Sequence, residues 1–324
     1  MNPGVAEVEA PAKVNLFLRV LHRRPDGFHE LETLFQAVSL SDRVRVAVDD
    51  RAGMAAVAST AGGGGISLSV DGPDLGPVES NLAYRAASSF REAAGFEAPV
   101  RIELTKRIPA GAGLGGGSSD AAAVLRCLAT LTGFPDADVL RAIALELGSD
   151  VPFFLSTSPL ALGRGRGEEL TELPPLPEVS LVLALPDVHV ATGAAYGALA
   201  SSRGSDAASS KRGGIGVVVG GDPSLLSSWN SVIESAVNDF EAVVVPAHSE
   251  VEASLRGLRD RGARVALLSG SGAASFGLFD SYDEARAAAA WLEGRHPWRF
   301  VPVTTRTTMP IPTVIRDGGP TGGP

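Results

Sequence analysis

The stretch 109–122, PAGAGLGGGSSDAA, sets glycines and two serines directly before a helix-like run. Those residue types suit an anion. Glycines let successive backbone N–H groups converge where a Cβ would obstruct them. Ser118 or Ser119 can cap the following helix, whose positive end favours negative charge. Both hydroxyls are also candidate phosphate or magnesium ligands. Three readings compete: a phosphate cradle, a dinucleotide fingerprint and a flexible joint. Gly111, Gly113 and Gly116 satisfy GxGxxG, but a dinucleotide fold wants an acid about 20 residues on, at the end of a second strand. Asp136 and Asp138 lie at that distance, yet they follow Gly133 and Pro135 and open a helix. The frame 111–116 also fits GxxxxGK followed by Ser or Thr, with Ser118 in place. Gly117 stands where the lysine belongs, so the point cation for the β- and γ-phosphates is missing. Linkers do not usually separate an alternating strand from an amphipathic helix.

The surrounding elements must position that loop. The chain has 324 residues, 44% apolar and 20% charged, enough for one large or two ordinary domains. Val14, Leu16, Leu18 and Val20 alternate with other residues, as do 43–48 (RVRVAV) and 100–104 (VRIEL). That period of two predicts half-buried strands of an antiparallel or mixed sheet. Helices are predicted over 81–94, 119–131 and 136–147. In the second, Val124, Leu125, Leu128 and Leu131 form one stripe, and Gly133 is the expected C-cap. Residues 171–178 (TELPPLPE) read as a connector. Beyond it come a strand at 181–185, helices near 227–238 and 250–260, a strand–turn–strand at 264–279 and a last helix at 281–294. The small, polar stretch 200–216 reads as part of a flexible insertion, and 316–324 as a disordered tail. The expected fold is α+β with two domains, 1–170 and 171–315, the second interrupted at about 200–222.

Net charge is 28 − 37 = −9. A surface of that sign repels a phosphate backbone, so no nucleic-acid partner is expected. Small anions stay possible, because backbone dipoles can hold them locally. Cys127 is the only cysteine, which precludes an internal disulfide and suits a reducing cytoplasm. The five histidines show no HExxH-type spacing, and no metal site built by the protein itself is expected. The first residues lack the basic and apolar regions of a secretory signal, and no run of about 18 apolar residues occurs, so no membrane span is expected.

The stretch 109–122 resembles the central P-x3-G-L-G/A-x-G-S-S motif of the GHMP small-molecule kinases. APAKVNLFLRV (10–20) and LLSGSGAASF (267–276) are similar to two further motifs of that family, in the same order. The resemblance implies a two-domain α+β GHMP kinase fold, with a ribosomal-protein-S5-like first domain that binds ATP and a ferredoxin-like second domain. It implies ATP and Mg2+ as cofactors. Residues 11–42, ELGSDVPFFL (146–155), ALGRGRGEEL (161–170) and VNDFE (237–241) resemble one branch of the family. That branch phosphorylates the 2-hydroxyl of a cytidine-diphosphate-linked sugar alcohol in the non-mevalonate isoprenoid pathway. The resemblance covers roughly 10–315 and lapses over 200–222.

Carried onto this sequence, the resemblance makes Asp150 the general base on the acceptor hydroxyl. It sets Lys13 beside Asp150, as an ammonium that polarises the same hydroxyl. Asn15, two residues on and facing the same side of a strand, would hydrogen-bond the sugar alcohol. Pro109, Ala110, Gly111, Ala112, Gly113, Leu114, Gly115, Gly116, Gly117, Ser118 and Ser119 would hold ATP through its phosphates. Asn81 and Lys106 match positions near the adenine; the plain alternative for Asn81 is a helix N-cap. Phe28 would stack on the cytosine, where the family more often has tyrosine, and His29 would hydrogen-bond it. Thr192 and Tyr196 match residues at the sugar alcohol and the far face of the cytosine. Magnesium is expected to ride on the ATP phosphates with few protein ligands. NDFE (238–241) is expected to order the second domain rather than touch ligand. A monomer or weak homodimer is expected. A GHMP kinase acting on homoserine, mevalonate or a sugar, an NAD-dependent oxidoreductase and a nucleotide-binding regulator remain alternatives.

Overall fold

The computed structural model describes residues 4–48, 65–95, 97–134, 136–203 and 226–315. Most of the expected insertion and the expected tail at 316–324 lie outside the described residues. The first lobe is built on a long antiparallel hairpin, β1 (Gly4–Arg23) and β2 (His29–Val48). Both strands run well beyond their alternating segments. β3 (Ile66–Asp71) and β4 (Val100–Thr105) pair in parallel, and β4 joins β2 antiparallel, so the sheet is mixed. β5 (Leu160–Arg164) pairs with the other half of β2, and β6 (Glu169–Glu172) pairs with β5. The second lobe holds a four-stranded antiparallel sheet of β7 (Ser180–Leu185), β8 (Val265–Leu268), β9 (Ser275–Phe279) and β10 (Arg299–Thr304), in the order β10-β7-β9-β8. The chain then returns, and β11 (Thr313–Ile315) pairs with β1. The boundary expected at 170/171 therefore falls inside β6, and the two lobes are interleaved at the C-terminal end.

α1 (Leu82–Ala94) and α2 (Gly116–Thr132) cover the first sheet, and α3 (Ala137–Leu147) and the short α4 (Val151–Leu155) pack against them. The caps follow local chemistry. Asn81 accepts the Ala83 N–H to start α1, Asp136 accepts from Asp138 and Val139 to start α3, and left-handed Gly133 (φ 68°) closes α2. The start of α2 differs from expectation. It opens three residues early, at Gly116, on a left-handed Gly115 (φ 72°) with no side-chain cap. Ser118 and Ser119 thus sit in the first turn and cap nothing. The second lobe carries α5 (Thr192–Arg203), α6 (Trp229–Glu234), α7 (Glu241–Ala247), α8 (Ser249–Asp260) and α9 (Tyr282–Glu293). Residues 200–203, read as insertion, form the last turn of α5. The helix expected to reach 238 stops at Glu234, because 237–239 leaves it to pair with β1.

The centre of β1 is buried on both faces, where alternation predicts one. Ala6, Val8 and Ala10 pack with Phe90 of α1 and with Val124 and Leu128 of α2. Val14 and Leu16 pack with Leu181 and Leu183 of β7 and Phe276 of β9, and Leu18 and Val20 with Val182 and Phe240. The second lobe covers the face that one domain alone would leave wet, and each side chain so buried contributes about 1.5–3 kcal/mol. The β1–β2 register shifts between Pro11 and Lys13 and again between Asn15 and Phe17. Such irregularities bend a strand and re-aim its side chains, here at two polar residues. Among the described residues no helix is long and apolar enough to cross a membrane.

Candidate active site

β1 delivers Lys13 and Asn15 into the seam between the lobes, where they are only 3% and 2% exposed. Lys13 Nζ donates to Asn15 Oδ1 at 2.8 Å and to the Gly113 carbonyl at 2.7 Å, and it lies 3.6 Å from Asp150 Oδ2. Three acceptors face the three protons of an ammonium. Burial pushes the lysine below its ordinary pKa, and Asp150 opposes that push. Asn15 donates in turn to Thr33 Oγ1, and Thr33 to the Phe17 carbonyl, each at 2.8 Å. That chain fixes the amide with its oxygen toward Lys13. Asp150 follows α3 at the entry to α4 and makes no cap hydrogen bond of its own. Arg126 steadies the far end of α4, donating to the Phe154 carbonyl at 3.1 Å and to the Ser156 carbonyl at 2.7 Å.

The glycine loop is gripped from two sides. Gly111, Gly113 and Gly115 all have left-handed φ, at 68°, 80° and 72°. The Lys13 N–H donates to the Leu114 carbonyl at 3.0 Å. From the other side comes the turn 269–274: Ser269 Oγ donates to the Gly113 carbonyl, and the Ala274 N–H to the Ala112 carbonyl, both at 3.0 Å. Gly117 is exposed and Ser118 half-buried, at the head of α2. Ser119 is buried, and its hydroxyl has no hydrogen-bond partner.

Two residues expected at the adenine lie elsewhere than in the cleft. Asn81 is occupied as the α1 cap, beside the loop: Leu82 is the residue nearest to a Cβ placed on Gly117. Lys106 is turned inward, with its side chain 4% exposed. Its ammonium pairs with Asp42 and, at 2.6 Å, with Asp120, directly beneath Gly116. Burial lowers the lysine pKa, but the two carboxylates outweigh it and the net direction is up. One cation between two carboxylates leaves a surplus negative charge in a dry place. Burial pushes Asp120 up to about 7, against the pull of Lys106. Its folded pKa exceeds the value of 3.8 for a free aspartate, so its stabilising effect is complete below about pH 4 and is lost as pH rises through about 7. Urea unfolding of the wild type should therefore show stability falling across that window, and Asp120→Asn should flatten the slope. An unchanged slope in the variant would assign the fall to other groups.

On the acceptor side, His29 at the start of β2 stacks on Tyr196 of α5, with centroids 4.6 Å apart and planes at 15°. The two rings meet across the lobes and leave no room for a base between them. Burial, then Arg23 and Arg203, hold His29 below its ordinary pKa. A neutral imidazole offers one donor and one acceptor. Burial pushes the Tyr196 phenol up to about 12. Phe28, 53% exposed at the hairpin tip, lies under the Arg166 guanidinium at 4.8 Å. Thr192 Oγ1 lies 2.9 Å from Ser271 Oγ. Lys13, Asn15, Asp150, Thr192 and Tyr196 line one cleft of about 170 Å³ with Gly113 and Gly115. The sequence reading missed Thr33, Arg166 and Ser271 in the same lining. Thr33, Arg166 and Ser271 all lie in stretches that carry the family resemblance, so a signal for each was present. Among the described residues no three His, Cys, Asp or Glu side chains gather as a metal site.

Residues 81–158 match the family described as GHMP kinases N terminal domain, and 223–294 match GHMP kinases C terminal. A 4-diphosphocytidyl-2-C-methyl-D-erythritol kinase of Anaeromyxobacter dehalogenans (strain 2CP-1 / ATCC BAA-258) is 43% identical over 288 residues, 88% of this chain and 84% of the relative. One of Geobacter sp. (strain M21) is 40% identical over 91% of this chain and 97% of its own. A crystal structure of 4-(cytidine 5'-diphospho)-2C-methyl-D-erythritol kinase superposes with a TM-score of 0.72 at 39% identity, covering 92% of this chain and 98% of that one. A homoserine kinase from Cytophaga hutchinsonii shares the fold, with a TM-score of 0.65 at 20% identity over 97% of this chain and 98% of its own. With both GHMP domains on one chain and relatives about 40% identical over most of its length, this protein belongs to the 4-diphosphocytidyl-2-C-methyl-D-erythritol kinases of the GHMP family.

Proposed function

We propose that this kinase transfers the γ-phosphoryl group of ATP to the 2-hydroxyl of 4-diphosphocytidyl-2-C-methyl-D-erythritol and releases ADP. The observation that carries this reading is Lys13 held 3.6 Å from Asp150, with the glycine loop bonded to the same lysine. Phosphoryl transfer to an alcohol needs in-line placement, neutralised charge and a home for the hydroxyl proton. Asp150 accepts that proton. Lys13 sets its positive charge beside the attacking oxygen, and Asn15 orients the sugar alcohol. The loop and the first amides of α2 hold the phosphates, since a helix N-terminus suits an anion. Ser118 and the unpartnered hydroxyl of Ser119 are the loop's oxygen donors. With no carboxylate cluster among the described residues, that donor set fits a magnesium ion held mainly by phosphate and water. When bound, magnesium neutralises phosphate charge. A cytoplasmic location belongs to the same reading, supported by a single, buried cysteine.

Phe28, His29, Thr192 and Tyr196 form the acceptor side of this reading. The His29–Tyr196 contact must open for a cytosine to lie against Tyr196. Base stacking on an aromatic ring contributes about 1–3 kcal/mol, so Phe28→Ala should raise KM for the acceptor about tenfold. Steady-state kinetics should show kcat and KM for ATP unchanged; an unaltered acceptor KM would take Phe28 out of the base site. The reading as a whole is tested by ADP release from ATP and magnesium across an acceptor panel. Turnover is expected with the cytidylylated sugar alcohol and none with homoserine or mevalonate. No turnover with the pure cytidylylated substrate would overturn it.

A further inference from the structure

Within 237–241 (VNDFE) only Phe240 lines the cleft, yet the segment bonds in two directions. Toward the first lobe, the Leu18 N–H donates to the Val237 carbonyl at 2.8 Å, and the Asp239 N–H to the Leu18 carbonyl at 3.0 Å. Asp239 Oδ2 accepts from the Val20 N–H at 2.7 Å and from Arg203 at 2.6 Å. The segment is thereby stapled to β1, the strand that carries Lys13 and Asn15. Toward the second lobe, Asn238 Nδ2 donates to the carbonyls of Leu268 and Gly270, both at 2.8 Å. Its Oδ1 accepts from the Phe240 N–H at 3.0 Å. Both amide protons and the amide oxygen are used, on a side chain only 4% exposed. Glu241 Oε1 accepts the Leu268 N–H at 2.8 Å.

The turn entered through Leu268 reaches the reacting groups. Ser269 Oγ and Lys13 Nζ share one acceptor, the Gly113 carbonyl, at 3.0 and 2.7 Å. A Cβ placed on Gly270 would stand 3.4 Å from Lys13 Nζ. A lysine side chain is long and flexible, so its ammonium stands where its acceptors stand. One of those acceptors is placed by the turn, and the turn's first carbonyls are placed by Asn238.

We propose that Asn238 is a positioning residue for phosphoryl transfer. Its carboxamide locks the 268–270 backbone to β1 and thereby sets the Gly113 carbonyl and Lys13 Nζ relative to Asp150. It touches no reacting atom. The inference rests on the kinase reading above. A shift of about 1 Å in such an arrangement costs on the order of a hundredfold in rate.

Asn238→Ser removes both bonds to the turn, and Asn238→Asp turns a carboxylate toward two carbonyl oxygens. At 25 °C, with folding verified by circular dichroism, both should lower kcat about a hundredfold, with aspartate the worse. KM for ATP and for the acceptor should stay within about threefold. Glu241→Gln, which keeps an oxygen for the Leu268 N–H, should retain kcat within about threefold, whereas Glu241→Leu should lose at least tenfold. A role in stability alone would lower Tm and leave kcat of the folded variants unchanged. A folded Asn238→Ser with near wild-type kcat overturns the positioning role. If neither Asn238 variant folds, equal kcat in the two Glu241 variants overturns it. A wild type without turnover on the cytidylylated acceptor overturns the kinase reading and this inference together; the other outcomes bear on Asn238 alone.

Discussion

Asp150→Asn is expected to lower kcat about a thousandfold while ATP affinity stays within about threefold. A positioned general base is worth about 10² to 10⁴ in rate, and the amide keeps the shape of the carboxylate but cannot take the proton. The substitution also reaches Lys13. Burial already holds that lysine below its ordinary pKa, and Asp150 is the group that opposes it. Without the carboxylate, the ammonium keeps only the Asn15 and Gly113 oxygens. It should then lose its proton more readily, so the alkaline limb of the residual pH–rate profile should move to lower pH. A coupled ADP-release assay and an equilibrium ATP titration check the two halves. Wild-type kcat in the variant would remove Asp150 from the proton-accepting role.

Gly113→Ala should lower kcat/KM at least a hundredfold and Tm by about 4–20 °C. The left-handed φ of 80° costs an L-residue about 1–2 kcal/mol. The new Cβ would stand 2.2 Å from the Ser269 carbonyl oxygen, a backbone atom that cannot swing aside. Loop and turn must part, at about 1–3 kcal/mol for the overpacking. Together these make about 2–5 kcal/mol, which gives the stated Tm shift at about 2–4 °C per kcal/mol. Activity suffers separately, because the Gly113 carbonyl is an acceptor for Lys13. Gly117→Ala is the matched control for stability. A Cβ there meets only Leu82, at 3.6 Å, and alanine is the better helix former. Calorimetry should find its Tm unchanged or slightly raised. Equal Tm and rate in the two variants would sink the close-approach argument.

Features that rest on near neighbours were legible in the sequence. Gly133 caps a helix as read, and Asn81 takes the plain alternative weighed for it, a helix N-cap, because a cap bonds within a few residues of itself. The serines were misread as caps for a related reason. Gly115 in a left-handed turn starts the helix without them, and a run of adjacent glycines does not reveal which one turns. Lys106 looked available as a cation near the adenine. Its partners Asp42 and Asp120 come from β2 and α2, and neither spacing marks a pair. Asn238 was readable only as part of a segment that orders the second domain, since its bonds run to Leu268 and Gly270 while its neighbours bond to Leu18 and Val20.

By itself, then, the order of residues determined the family and the α+β class, and it marked the glycine loop, Lys13 and Asp150 as candidates for the site. These are carried by motif order and by periodicity over a few turns or strands. The tertiary structure alone decided that β1 is dry on both faces, that Lys106 is locked inward and that His29 lies flat on Tyr196; to the Lys13–Asp150 pair, which the resemblance had set side by side, it added a separation of 3.6 Å. Each of those depends on groups far apart in the chain whose separation is set when two lobes close on a shared core. A packed core admits one arrangement of such groups, and no local pattern in the sequence encodes it.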